Sequence, residues 1–140
     1  MDITFDGTTL TIVSYELPLV SKKRPKFNRS GVAYNPSNYT NWKLYVAQDV
    51  YKALGHRPLL FPKHQQLQLV IHAYTGRGDA DNLAGGLMDA LIGVVYHDDK
   101  QIKHLSSTVH PRNKKGLQFT AVIRGFNPEE ALQYARETEL

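Results

Sequence analysis

Residues 66–94 change hydrophobic period once, and that change constrains the fold more than any other feature of the chain. In QLQLVIHAY, Leu67, Leu69, Ile71 and Ala73 alternate with Gln68, Val70 and His72, the two-residue period of a half-buried strand. The loop TGRG follows. Behind it Leu83, Leu87, Ala90, Leu91 and Val94 recur at helical spacing, and Asp79 or Asp81 stands where it can cap a helix over about 81–94. A strand leading through a short loop into an amphipathic helix belongs to a layered α/β domain.

The flanking sequence extends this plan. Residues 3–17, ITFDGTTLTIVSYEL, alternate about an Asp6-Gly7 turn and predict one strand or a strand pair. From Pro18 to Tyr39 there is no apolar period, which predicts a long irregular connection. Thr40 can cap a helix over 41–54, with Trp42, Tyr45, Val46, Val50 and Leu54 as its core face and Gly55 as its stop. The runs KQIKHLSSTVH and GLQFTAVIRG, separated by PRNKK, predict an antiparallel pair at the end of the sheet. PEEALQYARETEL predicts a short terminal helix capped by Asn127. The expected fold is therefore α/β: a single domain over residues 1–140, with a mixed sheet, two main helices and a short C-terminal helix.

Several function classes are excluded. The chain has no Cys, so there is no thiol nucleophile, disulfide framework or thiolate zinc site. Neither a leader pattern nor a run of about 18 apolar residues occurs, so a cytoplasmic protein with no membrane span is expected. The net charge of +4 is unremarkable, but its distribution is not. Lys22, Lys23, Arg24, Lys26 and Arg29 crowd around Pro25, with no acidic residue between Glu16 and Asp49. Such a segment is either a solvated loop or an arm that contacts phosphate.

Against this background the acidic residues are unevenly placed. Of 13, five fall within GDADNLAGGLMDALIGVVYHDDKQ: Asp79, Asp81, Asp89, Asp98 and Asp99. A helix N-terminus favours negative charge, which accounts for Asp79 or Asp81. It does not account for Asp98 and Asp99 beyond the other end, where the dipole opposes anions. A hard cation does: Mg²⁺, or Mn²⁺ in its place, takes carboxylate, water and phosphate oxygens and requires no Cys or clustered His. Such an ion beside a basic surface suits phosphodiester hydrolysis.

The same stretch, D-x-D-N-L, a helix with a further Asp, then D-D-x-Q-I, resembles the RusA family of Holliday junction resolvases. Asp79, Asp81, Asn82, Leu83, Asp89, Ala90, Leu91, Asp98, Asp99, Gln101 and Ile102 fall in register, and PLVSKKRPKFN is similar to the family's basic N-terminal segment. The resemblance implies a RusA-like fold and a homodimeric, Mg²⁺-dependent endonuclease that cuts four-way DNA junctions by paired nicks in recombination and repair. It implies that Asp79, Asp81 and Asp99 bind the metal, with Asp98 as an accessory. Asp89 suits packing or a helix-surface hydrogen bond. DNA contact is expected from Lys22, Lys23, Arg24, Lys26, Arg29 and Arg77. Where the family often has a helper lysine, this chain has Gly85, followed by Gly86. A cation could come instead from Lys100, Lys103, Lys22 or Lys23. A junction-binding architectural protein, or a nuclease acting on flaps or forks, are the alternative readings.

Two further expectations follow. A Gly-Gly pair inside a helix costs about 2 kcal/mol relative to Ala-Ala, so it should serve close packing or the close approach of another backbone. A helix over 81–94 separates its ends by about 20 Å, while residues 95–98, fully extended, return at most about 14 Å. Either residues 95–98 run back along the helix, which an early end at Gly93 would ease, or Asp99 meets Asp81 through a two-fold dimer, with antiparallel helices that could pack across Gly85 and Gly86. The scattered histidines 72, 97, 104 and 110 read as structural, with His97 set apart by its neighbour Asp98.

Overall fold

The computed structural model describes residues 1–22, 26–27, 33–34 and 37–138. The alternation near the N-terminus forms β1 (Asp2–Phe5) and β2 (Leu10–Ser14). They are antiparallel about a turn in which the Asp6 carboxylate accepts from the Thr8 and Thr9 amides and Gly7 takes φ 102°. Two short strands, β3 (Lys26–Phe27) and β4 (Ala33–Tyr34), pair within the segment expected to be irregular.

Helix α1 spans Ser37–Ala53, starting earlier than Thr40. Continuing the spacing back one turn brings in Tyr39, which is buried with Trp42, Val46 and Val50. Tyr45 is instead exposed, so it does not belong to the core face. The Trp42 indole donates to the Pro18 carbonyl, which draws the chain ahead of the basic segment onto the helix.

The central strand β5 (Leu67–Ala73) is buried along its whole length rather than on one face. Leu67, Leu69, Ile71 and Ala73 join the core cluster shared with α1 and with α2 (Ala80–Leu91). The opposite face is covered by the terminal helix α3 (Ala131–Glu137): the Gln68 amide donates to the Ala131 carbonyl and Thr138 lies against His72. Polar Gln68 and His72 on that face reflect these partners, since buried polar groups are kept where they are hydrogen-bonded. Asn127 does not cap α3; it accepts from the Glu129 amide in the preceding turn, and Glu130 occupies the cap position.

Strands β6 (Ile102–Val109) and β7 (Phe119–Gly125) do not pair with each other, contrary to the hairpin expected from PRNKK. The sheet order is β1-β2-β7-β5-β6, with β6 parallel and β7 antiparallel to β5. The cause is α2. A helix between β5 and β6 returns the chain to the same end of the sheet and makes those strands parallel, while the other edge of β5 takes β7. Residues 110–118 therefore arch over the C-terminal end of β5, held by His110 N–H to Ala73 O at 2.7 Å and Tyr74 N–H to Gln118 O at 2.9 Å. No helix among the described residues is long and apolar enough to cross a membrane.

Candidate active site

The end of β5 delivers the first acidic pair. Gly76 and Gly78 have φ of 71° and 113°, conformations that L side chains rarely adopt, and they turn the chain sharply into α2. Asp79 is the N-cap: its carboxylate accepts from the Asp81 amide at 2.9 Å and the Asn82 amide at 3.3 Å. Asp81 lies in the first helical turn, and both carboxylates face solvent. The Ser107 hydroxyl donates to the Ala80 carbonyl, which fixes this helix start against β6.

The second acidic group lies at the far end of α2. The helix ends at Leu91, short of 94, and Gly93 at φ 82° reverses the chain. Tyr96 is then buried, with its hydroxyl donating to Met88 O at 2.7 Å. Asp98 caps a 3₁₀ turn over Asp99–Gln101. The buried Gln101 side chain explains why glutamine suits this position: its oxygen accepts from the His97 and Asp98 amides, and its amide donates to the Pro62 and Gln65 carbonyls. One side chain thus holds the Asp98-Asp99 corner rigid.

Asp89, in the last turn of the same helix, joins this group. Its carboxylate accepts from the Tyr39 hydroxyl at 2.9 Å and lies 3.5 Å from the Lys22 ammonium. The expected hydrogen bond is present, but the pairing with Lys22 and the role of Tyr39 were not legible from periodicity. Burial, a hydrogen bond shared with Asp98, and the charges of Asp98 and Asp89 push the Asp99 carboxyl above its ordinary value, with Lys22 opposing. Asp98 is held below its ordinary value by the Lys100 amide and the bond to Asp99. Burial and then the Asp89 hydrogen bond push the Tyr39 phenol well up. Burial and the charges of Asp99, Asp89 and Asp98 do the same for Tyr96. Three carboxylates and one ammonium therefore sense one another here.

The glycine pair shapes this end. A Cβ on Gly86 would come within 2.2 Å of the Val20 carbonyl oxygen, so the segment 20–22 lies directly on the helix, fastened by Lys22 N–H to Asn82 O at 2.8 Å. A Cβ on Gly85 would meet the Lys22 stem at 3.3 Å. The expected close approach is real, but the approaching backbone belongs to the same chain. The 20–22 strap, rather than a second helix, lies over Gly85 and Gly86.

The two acidic groups stay apart within the chain. Eight residues of helix put Asp89 about 12 Å from Asp81 along the axis. Among the described residues, no group of three His, Cys, Asp or Glu side chains is close enough to hold a metal ion. Asp79 and Asp81 thus lie at one end of α2 and Asp99 beyond the other. Their donor chemistry still suits Mg²⁺, which needs only one or two carboxylates beside water and phosphate oxygens. Asp99, crowded by Asp98 and Asp89, is where a cation relieves the most repulsion.

Of the other candidates, Lys100 and Lys103 are exposed on the outer side of the Asp98 corner, and Arg77 is exposed just before Asp79. Lys23, Arg24 and Arg29 lie outside the described residues, and Lys26 is described only through the backbone of β3. His97 is exposed and touches the corner through its backbone amide. His72 and His110 pair at 2.8 Å against α3 and the arch.

The family model for Endodeoxyribonuclease RusA matches residues 16–120, three quarters of the chain. The chain belongs to the RusA family. A search of curated proteins gives no match. The RusA match runs from the segment that enters the basic arm to the start of β7, so it includes both acidic groups, the Lys22 strap and the arch. Membership makes the chain a nuclease, a hydrolase of the DNA backbone, with branched DNA as the implied substrate class.

Proposed function

We propose that this RusA-family protein, acting through one domain that comprises its 140 residues, is a Mg²⁺-dependent endonuclease that resolves four-way junctions by paired hydrolysis in recombination and repair. The observation that carries the reading is the division of the acidic residues between the two ends of α2. A two-fold dimer that sets the Asp98-Asp99 corner of one protomer against Asp79 and Asp81 of the partner subunit completes two equivalent sites. Two opposed sites match a junction that needs two symmetric nicks.

In each site Asp99, with Asp79 and Asp81 of the partner subunit, would hold the ion, and Asp98, as the cap of the 3₁₀ turn that begins at Asp99, would fix the backbone from which the Asp99 carboxylate projects. Bound there, Mg²⁺ supplies polarisation of the phosphodiester and acidification of attacking water. The Lys22 ammonium stands where the helper lysine would reach from position 85. It offsets the carboxylate charge at Asp89 and Asp99 and can neutralise charge that develops on the phosphate oxygens. Tyr39 keeps Asp89 oriented toward Lys22. The basic arm that continues from Lys22 would hold phosphates, with affinity falling steeply with salt.

Incubation with a mobile four-way junction and Mg²⁺ tests this reading. Symmetric paired nicks, abolished by Asp81→Asn, are expected. Binding without cleavage in Mg²⁺ or Mn²⁺ would replace the reading with an architectural one, and preferential cutting of flaps or forks would change the substrate.

A further inference from the structure

The arch over the end of β5 was expected to be only a turn between paired strands, yet it carries Arg112, Lys114 and Lys115 within PRNKK. Because β7 inserts beside β5, this basic loop stands over the strand end that delivers Asp79 and Asp81. Gly76 N–H to His110 O at 2.9 Å ties the two loops together, and the Arg112 stem rests where a Cβ on Gly76 would meet it at 3.5 Å. Between the loops lies an open cleft of about 680 Å³, lined by Arg77 and Gly78 on one side and by Arg112, Asn113 and Gln118 on the other. Ser21, one residue before Lys22, forms part of its wall.

We propose that Arg77 and Arg112 grip the phosphodiester backbone of the DNA strand that runs past Asp79 and Asp81, with Lys114 and Lys115 extending the contact along the arch. The inference rests on the branched-DNA reading above and adds a binding site to it. Both guanidinium groups are exposed, and neither meets a carboxylate among the described residues. The planar guanidinium fork matches two phosphate oxygens, so two of them facing one cleft suit a polyanion strand better than a single small anion. Position supplies the second argument. Asp79 and Asp81 repel DNA, and a strand approaches them only where adjacent cations compensate. Lys22 is committed to the other end of α2 by its contact with Asp89. Arg77 and Arg112 are the cations built next to the first acidic pair.

The test measures binding of a labelled four-way junction in Ca²⁺, without cleavage, over a range of KCl concentrations. Arg112→Gln retains the part of the stem that packs on Gly76 and removes the charge. It should weaken binding on the order of tenfold, the loss expected for one charge-assisted hydrogen bond, and flatten the slope of log K against log salt by about 1. Arg77→Gln with Arg112→Gln should flatten it by about 2. Lys52→Gln, an equal loss of charge on α1, should leave both quantities at their wild-type values. Wild-type affinity and slope in Arg112→Gln, or an equal loss in Lys52→Gln, overturns the inference while leaving the junction reading intact. A wild-type protein that binds no branched DNA removes both.

Discussion

The Lys22 ammonium lies 3.5 Å from the Asp89 carboxylate, and its stem crosses Gly85 on the way. A lysine from the arm thereby occupies the space above a helix position whose own side chain is absent. Lys22→Ala should lower kcat by about 100-fold, in the range for loss of one charge-stabilising donor, with a smaller change in KM. Removing the stem also frees the space over Gly85. Lys22→Ala combined with Gly85→Lys should then recover part of the lost kcat, whereas Gly85→Lys alone should not exceed wild type. If the double variant is no better than Lys22→Ala, the positional equivalence of the two lysines is refuted.

Gly86 supports the same arrangement through shape. A methyl there collides with the Val20 carbonyl, and overpacking of this kind costs roughly 2 kcal/mol. Gly86→Ala should lower Tm by about 6 °C for a domain of this size and reduce cleavage, because the 20–22 strap lifts and takes Lys22 with it. A Tm equal to that of wild type would mean that the strap is not seated on α2.

Asp79 caps α2, and under the proposed function it also binds the metal, two tasks that substitutions can separate. Asn caps a helix about as well as Asp, whereas Ala at an N-cap costs about 1 kcal/mol. Asp79→Asn should therefore melt like wild type yet lose at least about 100-fold in Mg²⁺-dependent cleavage. Asp79→Ala should lose both stability and activity. Thermal melts run beside cleavage assays distinguish the two tasks.

Asp99 should show the opposite balance between stability and activity. Burial, Asp98 and Asp89 raise its native value above the ordinary 3.8, so the folded protein binds this proton more tightly than the unfolded chain does. The stabilisation that protonation brings is fully present below 3.8 and is lost as pH rises through the raised native value. Asp99→Asn makes the neutral form permanent. It should raise Tm slightly at pH 7 and abolish cleavage, and the rise in Tm expected when Mg²⁺ is added to the wild-type protein should be absent. A fall in Tm at pH 7 would contradict the electrostatic account.

Sharing of the site between protomers is testable by complementation. Asp81→Asn and Asp99→Asn homodimers should both be inactive, while a mixed dimer regains one intact site and nicks one strand per junction. If the mixed dimer is as inactive as its parents, each chain must assemble its own site.

The parts legible in the sequence were those governed by short-range rules. Leu67 to Ala73 announced a strand by alternation, and Leu83, Leu87, Ala90 and Leu91 announced a helix by spacing. Asp79 and Asp81 were recognisable as alternative caps, and the Gly85-Gly86 pair demanded a close neighbour. The errors were of a different kind. The runs KQIKHLSSTVH and GLQFTAVIRG were recognisable as strands, but composition carried no information about which strand lies beside which. The terminal helix buried the second face of β5, although nothing in the alternation of Gln68, Val70 and His72 required it.

The sequence by itself determined the chemistry: the acidic residues, the basic arm and the absence of thiols are properties of composition and order, and the DADN and DDKQI motifs placed the chain in its family. Only the tertiary structure decided who meets whom. Lys22 reaches Asp89 across a separation of 67 residues, and Arg112 reaches Gly76, in the loop that leads to the first acidic pair, because β7 joins the edge of β5 opposite β6. Such contacts depend on how several buried faces are satisfied together, which a local pattern cannot encode. The same packing keeps Asp81 and Asp99 at opposite ends of α2, because a helix rises by a set amount per residue whatever its side chains need.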